Sequence, residues 1–297
     1  MHLGLFLVQS KSLFQEKLRA AAKEAAQAAG VSIEATFADG DARAQHQQLF
    51  DFVRRDPKPD GLLLQPVEGS GVRFVVREAH QRGIGCAFIN RHPAFLHELR
   101  SETRGVAFSV TPDNTGIGRI QGEQCRALLP QGGTVLCVTG PPGADSVIRR
   151  LEGLELSKGS LLSTILVTGN WTESGGEKAV AEWLETTRGF VPFDMVGAQN
   201  DDMALGARRA LERFAPLLEQ PRLRSLPIAG VDGLPEFGRR LVSEGKLQAT
   251  VLMPPTSGKA VELLVAALRE GAPVAEEVTL PVTSHPAVSQ LLPIASE

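Results

Sequence analysis

Along this chain the spacing of apolar positions switches repeatedly between short continuous runs and a three-to-four-residue period. Residues 3–8 form an apolar run of strand length. From 13 to 29 the apolar positions Phe14, Leu18, Ala21, Ala25 and Ala28 recur three or four apart, and Gly30 stands where a helix ends. VSIEATF then alternates Val31, Ile33, Ala35 and Phe37 as a half-buried strand does. A helical stretch around Leu49 and Val53 stops near Pro57. DGLLLQP reads as a strand, 72–81 as a helix closed by Gly83, and IGCAFIN as a strand. A fifth strand is expected in RGVAFSVTPDN and a helix over 114–129.

The alternation restarts in the second half. GTVLCVT, STILVTG, FDMVGAQ, LPIAGVD and LQATVLM read as strands; 146–156, 174–187, 201–214, 236–243 and 256–270 read as helices. Strands that are apolar on both faces and alternate with helices predict an α/β fold of two doubly wound parallel-sheet domains. The expected boundaries are 1–109 plus 254–280 for an N-terminal lobe and 110–253 plus 281–297 for a C-terminal lobe. Three crossovers fall near 109–111, 253–255 and 280–282. The stretch 256–270 is expected to pack back on the first lobe.

Composition narrows the function without naming it. At 297 residues, 42% hydrophobic and 22% charged, with 31 Lys+Arg against 34 Asp+Glu, the chain is neither disordered nor a basic nucleic-acid binder. No apolar run reaches the roughly 18 residues of a membrane span. Cys86, Cys125 and Cys137 form no CxxC, and Cys86 and Cys137 sit within apolar runs, as buried thiols do. The start MHLGLFLVQS lacks the basic and small-residue features of a signal peptide. No HExxH, P-loop or G-x-S-x-G elbow is present, so neither enzyme, metal nor cofactor is expected.

Ligands of parallel α/β sheets bind at the carboxyl ends of the strands. Those ends carry Ser12 and Phe14; Asn90 and Arg91; GPPGADS and then Arg150; Trp171; Asn200; Asp232; and Met253. Amide, guanidinium, carboxylate and aromatic groups together suit a polyhydroxylated ligand. Asp201 and Asp202 are expected to cap the helix that follows them.

AQNDDMALGARRAL (198–211), IAGVDGLPEFGRRLVSEGKLQATV (228–251), CAFINR (86–91), TPDNTGIGRIQGE (111–123) and the Arg150-x-x-Gly153 segment occur in order. Through them the chain resembles the periplasmic sugar-binding proteins of the ribose-binding type, which share the type I fold with the effector domains of LacI-type repressors. The resemblance implies a substrate-binding protein that captures a small sugar or polyol in an interdomain cleft by hinge closure. It implies delivery to an ABC permease or a membrane receptor, a monomer, no nucleic acid, and a periplasmic or extracytoplasmic location. The alternative is a cytoplasmic effector domain of a LacI-type regulator or a signalling receptor's sensing domain. Carried over by position, the ligand contacts are Ser12, Phe14, Asn90, Arg91, Arg150, Trp171, Asn200, Asp232 and Met253. Three positions depart from the family. Asn90 stands where an Asp is usual, Met253 where a polar residue is usual, and Gln15 where a second stacking aromatic is common.

Overall fold

The computed structural model describes residues 1–67, 71–102 and 105–293. These fold as two compact units, each built from two separate stretches of chain. The first holds Met1–Pro112 with Pro254–Leu280, the second Asp113–Met253 with the chain from Pro281 onward. The first passage between units lies after Pro112 rather than after 109, because the strand there keeps pairing to its end, Leu280 opposite Pro112.

In the first unit the strands are β1 (His2–Leu7), β2 (Ser32–Phe37), β3 (Gly61–Leu64), β4 (Gly85–Ile89), β5 (Ala107–Pro112) and β11 (Glu277–Leu280). They form one parallel sheet in the order β11-β5-β4-β3-β1-β2. Its helices are α1 (Leu13–Ala28), α2 (Ala42–Val53), α3 (Arg73–Gln81), α4 (Leu96–Glu102) and α10 (Thr256–Glu270). Strand residues alternate between two cores. Leu62, Leu64, Cys86 and Phe88 pack with Leu49, Phe52, Val75 and Val76 of α2 and α3. Leu63, Ala87 and Ile89 pack on the opposite face with Leu18, Ala22, Ala260 and Leu264 of α1 and α10. That two-residue alternation between two buried faces is why these strands read as unbroken apolar runs. It also places 256–270 on the first unit, as expected.

The second unit repeats the plan with β6 (Gly133–Thr139), β7 (Leu162–Thr168), β8 (Met195–Ala198), β9 (Ile228–Asp232), β10 (Ala249–Leu252) and β12 (Thr283–His285). The order is β12-β10-β9-β8-β6-β7, parallel except for β12, which runs antiparallel to β10. Its helices are α5 (Asn114–Leu128), α6 (Asp145–Ser157), α7 (Glu173–Thr187), α8 (Asp201–Leu217) and α9 (Arg240–Ser243), the last preceded by a π-helical turn over Pro235–Arg239. All three cysteines are buried, and burial pushes each thiol up to about 12, so none is a thiolate at neutral pH.

Three short elements were not legible in the sequence: α4, β11 and β12. Each is too short for a period to show, and the two strands are edge strands of half-polar composition (EVTL and TSH). β12 supplies a structural account of the chain's end. Ser284 there accepts a hydrogen bond from Gln124 Nε2 at 2.9 Å, and Leu291 packs on the α5–α6 core.

α5 and α6 touch backbone to backbone. A Cβ at Gly118 would overlap the carbonyl of Arg150, and one at Gly153 would overlap the carbonyl of Thr115. Only glycine fits either position at this helix separation, and that separation sets where Arg150 stands. Gly118→Ala should therefore cost about 1–3 kcal/mol, the usual price of forcing extra volume into packed backbone. A lower urea midpoint at unchanged slope would show it; an unchanged midpoint would mean that the two helices can spread freely.

Candidate functional site

The candidate residues of the second unit gather around one side chain. Arg150, on the second turn of α6, is buried (5% exposed). Its Nε donates to Asn114 Oδ1 at 3.0 Å, Nη1 to the carbonyl of Gln199 at 2.5 Å, and Nη2 to the Met253 sulfur at 3.4 Å. A guanidinium has five N–H groups, so two remain without an acceptor among the described residues. Burial lowers Arg150 to about 10, against the pull of Asp232, and it stays charged at neutral pH.

Asp232 ends β9 with a φ of 113°, a backbone region that residues with a side chain rarely adopt. Its side chain is buried (7% exposed), and no described residue donates a hydrogen bond to its carboxylate. Burial, reinforced by Asp201, pushes its pKa well above the usual carboxylate range, while Arg150 pulls it back. A buried carboxylate facing a guanidinium, with hydrogen-bonding capacity left on both, is an arrangement that a hydroxylated ligand completes.

Trp171 is also held at positive φ, 70°. The guanidinium carbon of Arg150 lies 5.7 Å from its ring centroid, within cation–π range. Its indole occupies space that a side chain at position 140 would fill, which explains the first glycine of GPPGADS. Asn200 is buried and serves two local tasks. Its Oδ1 accepts from the N–H of Met203 at 3.0 Å as the N-cap of α8, and its Nδ2 donates to the carbonyl of Trp171 at 2.9 Å. One amide N–H of Asn200 is left over. Met253 lies half-buried beside Ile117, Val231 and Val251.

The capping expectation for Asp201 and Asp202 is corrected: the cap is Asn200. Asp201 is a fully buried strut instead, accepting from the N–H of Gly233 at 2.8 Å and from Thr250 Oγ1 at 2.7 Å. It ties α8 and β10 to the strained turn that carries Asp232. Asp202 is raised to about 6, mainly by burial and then by Glu173.

In the first unit, Ser12 caps α1, accepting from the N–H of Gln15 at 3.5 Å, and Phe14 lies half-buried against the α1–α10 core. Asn90 sits at φ 59° and accepts from Thr256 Oγ1 at 2.7 Å through Oδ1. Its Nδ2 is buried without a partner among the described residues. Arg91 donates to the carbonyl of Val67 at 2.9 Å. Gln15 belongs to a buried amide relay: its Oε1 accepts from the N–H of Val8, and its Nε2 donates to Gln65 Oε1 at 2.9 Å. Gln45 in turn donates to the Gln65 carbonyl and accepts from the N–H of Val67. The relay stitches together the loops after β1 and β3.

Sequence reading missed Asn114, Gln199, Gln65 and Asp201. Asn114 and Gln199 stand within quoted motifs at strand ends, yet their roles appear only once Arg150 is placed between them.

The model of the periplasmic binding protein domain matches residues 4–272. The xylitol-binding protein of Mycolicibacterium smegmatis is 28% identical over 258 residues, covering 85% of this chain and 67% of that protein. The ribose import binding protein of Escherichia coli is 26% identical over 197 residues, covering 65% of this chain and 60% of that protein. Among solved structures, an ABC transporter solute-binding protein of Mycobacterium smegmatis with bound glycerol superposes at TM-score 0.81. It is 26% identical and is covered to 98%, against 99% of this chain. One from Bacillus halodurans with bound myo-inositol, 24% identical, gives 0.80 over 95% of this chain and 93% of that one, a likeness of fold.

The buried strut has a pH signature. Burial lifts Asp201 to about 7, and the donors Thr250 and Gly233 only partly offset it. Between about pH 4 and pH 7 the folded chain therefore holds a proton that the unfolded chain releases, and this group's contribution to stability falls as pH rises. Asp201→Asn, which cannot ionise, should gain stability relative to wild type across that window, by on the order of 1–3 kcal/mol in total. Urea titrations of both proteins at a series of pH values measure the difference; a pH-independent gap would mean that Asp201 ionises freely.

Proposed function

The chain belongs to the periplasmic binding protein domain family, and from that membership we propose that it captures a small sugar or polyol at the carboxyl-end loops of its two sheets. One observation carries the reading: among the described residues the buried Asp232 carboxylate has no hydrogen-bond donor and the Arg150 guanidinium has two N–H groups unused, the two lie within electrostatic range of each other, and the Trp171 ring lies beside Arg150. A vicinal diol suits this arrangement, donating one O–H to the carboxylate and accepting from the guanidinium with the neighbouring oxygen. The apolar C–H face of the same ring stacks on the indole.

In the second unit, Asn200 supplies one further N–H and Met253 an apolar wall. Asn90, Arg91, Ser12 and Phe14 are the corresponding groups of the first unit. The ligands of these relatives, xylitol, ribose and glycerol, are small and hydroxylated, in keeping with these groups. The role is binding rather than catalysis, and the natural recipients are an ABC permease or a membrane receptor in an extracytoplasmic compartment.

Thermal unfolding against pentoses, hexoses, deoxysugars, inositols and small polyols tests the proposal. A ligand at a hundred times its dissociation constant adds about 2.7 kcal/mol, a shift of several degrees for a protein of this size. At least one member should give that shift, and Asp232→Ala should remove it. A folded, ligand-free protein that responds to no member would overturn the assignment.

A further inference from the structure

Two neighbouring groups of the first unit, Asn90 and Arg91, have N–H donors to spare. Asn90 Oδ1 accepts from Thr256 Oγ1 at 2.7 Å, and Nδ2, a buried group with two N–H donors, is unpartnered among the described residues. Arg91 follows it directly. Among the described residues only one of its five N–H groups is engaged, with the carbonyl of Val67, and burial lowers its pKa. No carboxylate of a described residue forms an ion pair with it.

The helix beginning at this spot adds to the same field. α10 runs for 15 residues from Thr256 and starts after Pro255, with no side-chain cap and no acidic residue in its first turn. Its leading hydroxyls point elsewhere, Thr256 to Asn90 and Ser257 to the carbonyl of Leu18. The free N–H groups of that turn therefore present the positive end of a helix dipole beside Asn90.

In the second unit Arg150 and Asp232 offset each other. Among the described residues Arg91 has no such counterpart. Buried or half-buried charge that lacks a protein partner is ordinarily met by a ligand of opposite sign.

We infer that the ligand is an anionic polyhydroxylated compound, a sugar acid or a sugar phosphate, whose negative group is received by Asn90 Nδ2, Arg91 and the start of α10. This rests on the proposed binding function and sharpens it.

Matched neutral and anionic ligands decide it by isothermal titration on the full chain. The pairs are galactose and galacturonate, glucose and gluconate, xylitol and xylonate, and glucose and glucose 6-phosphate. In at least one pair the anionic member should bind at least about tenfold tighter, the worth of one charge-assisted contact. The carboxylate and phosphate arms show which anion fits. Arg91→Gln should reduce that ratio to near one. Asn90→Asp, a change of a single group, should reverse it by placing a carboxylate where the ligand's anion sits. Neutral members binding as tightly as or more tightly than their anionic partners would overturn the inference while leaving sugar and polyol capture intact. Failure of every compound to bind would overturn both. An Asn90→Asp protein that keeps the wild-type ratio would also overturn the inference.

Discussion

A buried guanidinium is tolerable only where the protein answers its charge and most of its N–H groups, and much of the second unit is arranged to answer Arg150. Its three protein acceptors come from the start of α5, the end of β8 and the residue after β10. Three elements distant in sequence are thus pinned to one side chain. That side chain is itself positioned by glycine-mediated contact between α5 and α6. Asp232 completes the charge balance from β9, on a strained backbone turn that Asp201 anchors through the N–H of Gly233. Helix separation, guanidinium, carboxylate and strut form one dependent series, so a disturbance in packing propagates to the binding groups.

Most of the architecture could be read from apolar spacing. Strands such as GLLL and GCAFI lie between two cores, and that burial leaves the uninterrupted runs that mark them. The edge strands EVTL and TSH carry no such signature, because each packs only partly and its role is to pair with a neighbour already in place. Of the candidate residues read from strand ends, Arg150, Asp232 and Trp171 are brought together by the fold. Position at a strand end was a poor guide to division of labour. In the string Asn200-Asp201-Asp202 all three residues are able cappers by type. Which one caps depends on where the helix begins, and which one becomes a strut depends on the distant partners Thr250 and Gly233.

The same limit applied to Gln15. Read by position it is a missing aromatic; in the fold it is one link of a buried relay with Gln65 and Gln45. Exchanging a stacking ring for an amide replaces a contact with a ligand by contacts among the protein's own loops. Each such hydrogen bond contributes roughly 0.5–1.5 kcal/mol net, and leaving any member unpaired would cost more. The loops after β1 and β3 are consequently preset, and a ligand meets a surface whose ordering has already been accomplished during folding.

The pairing of β5 with β11 has a consequence for biosynthesis. The Ser109 N–H donates to the carbonyl of Glu276, so the first sheet gains its last strand only after most of the intervening second unit has been translated. α10, which shares with α1 the cover of one face of that sheet, arrives almost as late. Until then the nascent amino-terminal half exposes an apolar face and an open strand edge, the features that holdase chaperones bind and that misassembly exploits. The second unit has nearly all its strands when Met253 leaves the ribosome and lacks only β12. Although it comes later in the gene, it is the first to approach completion.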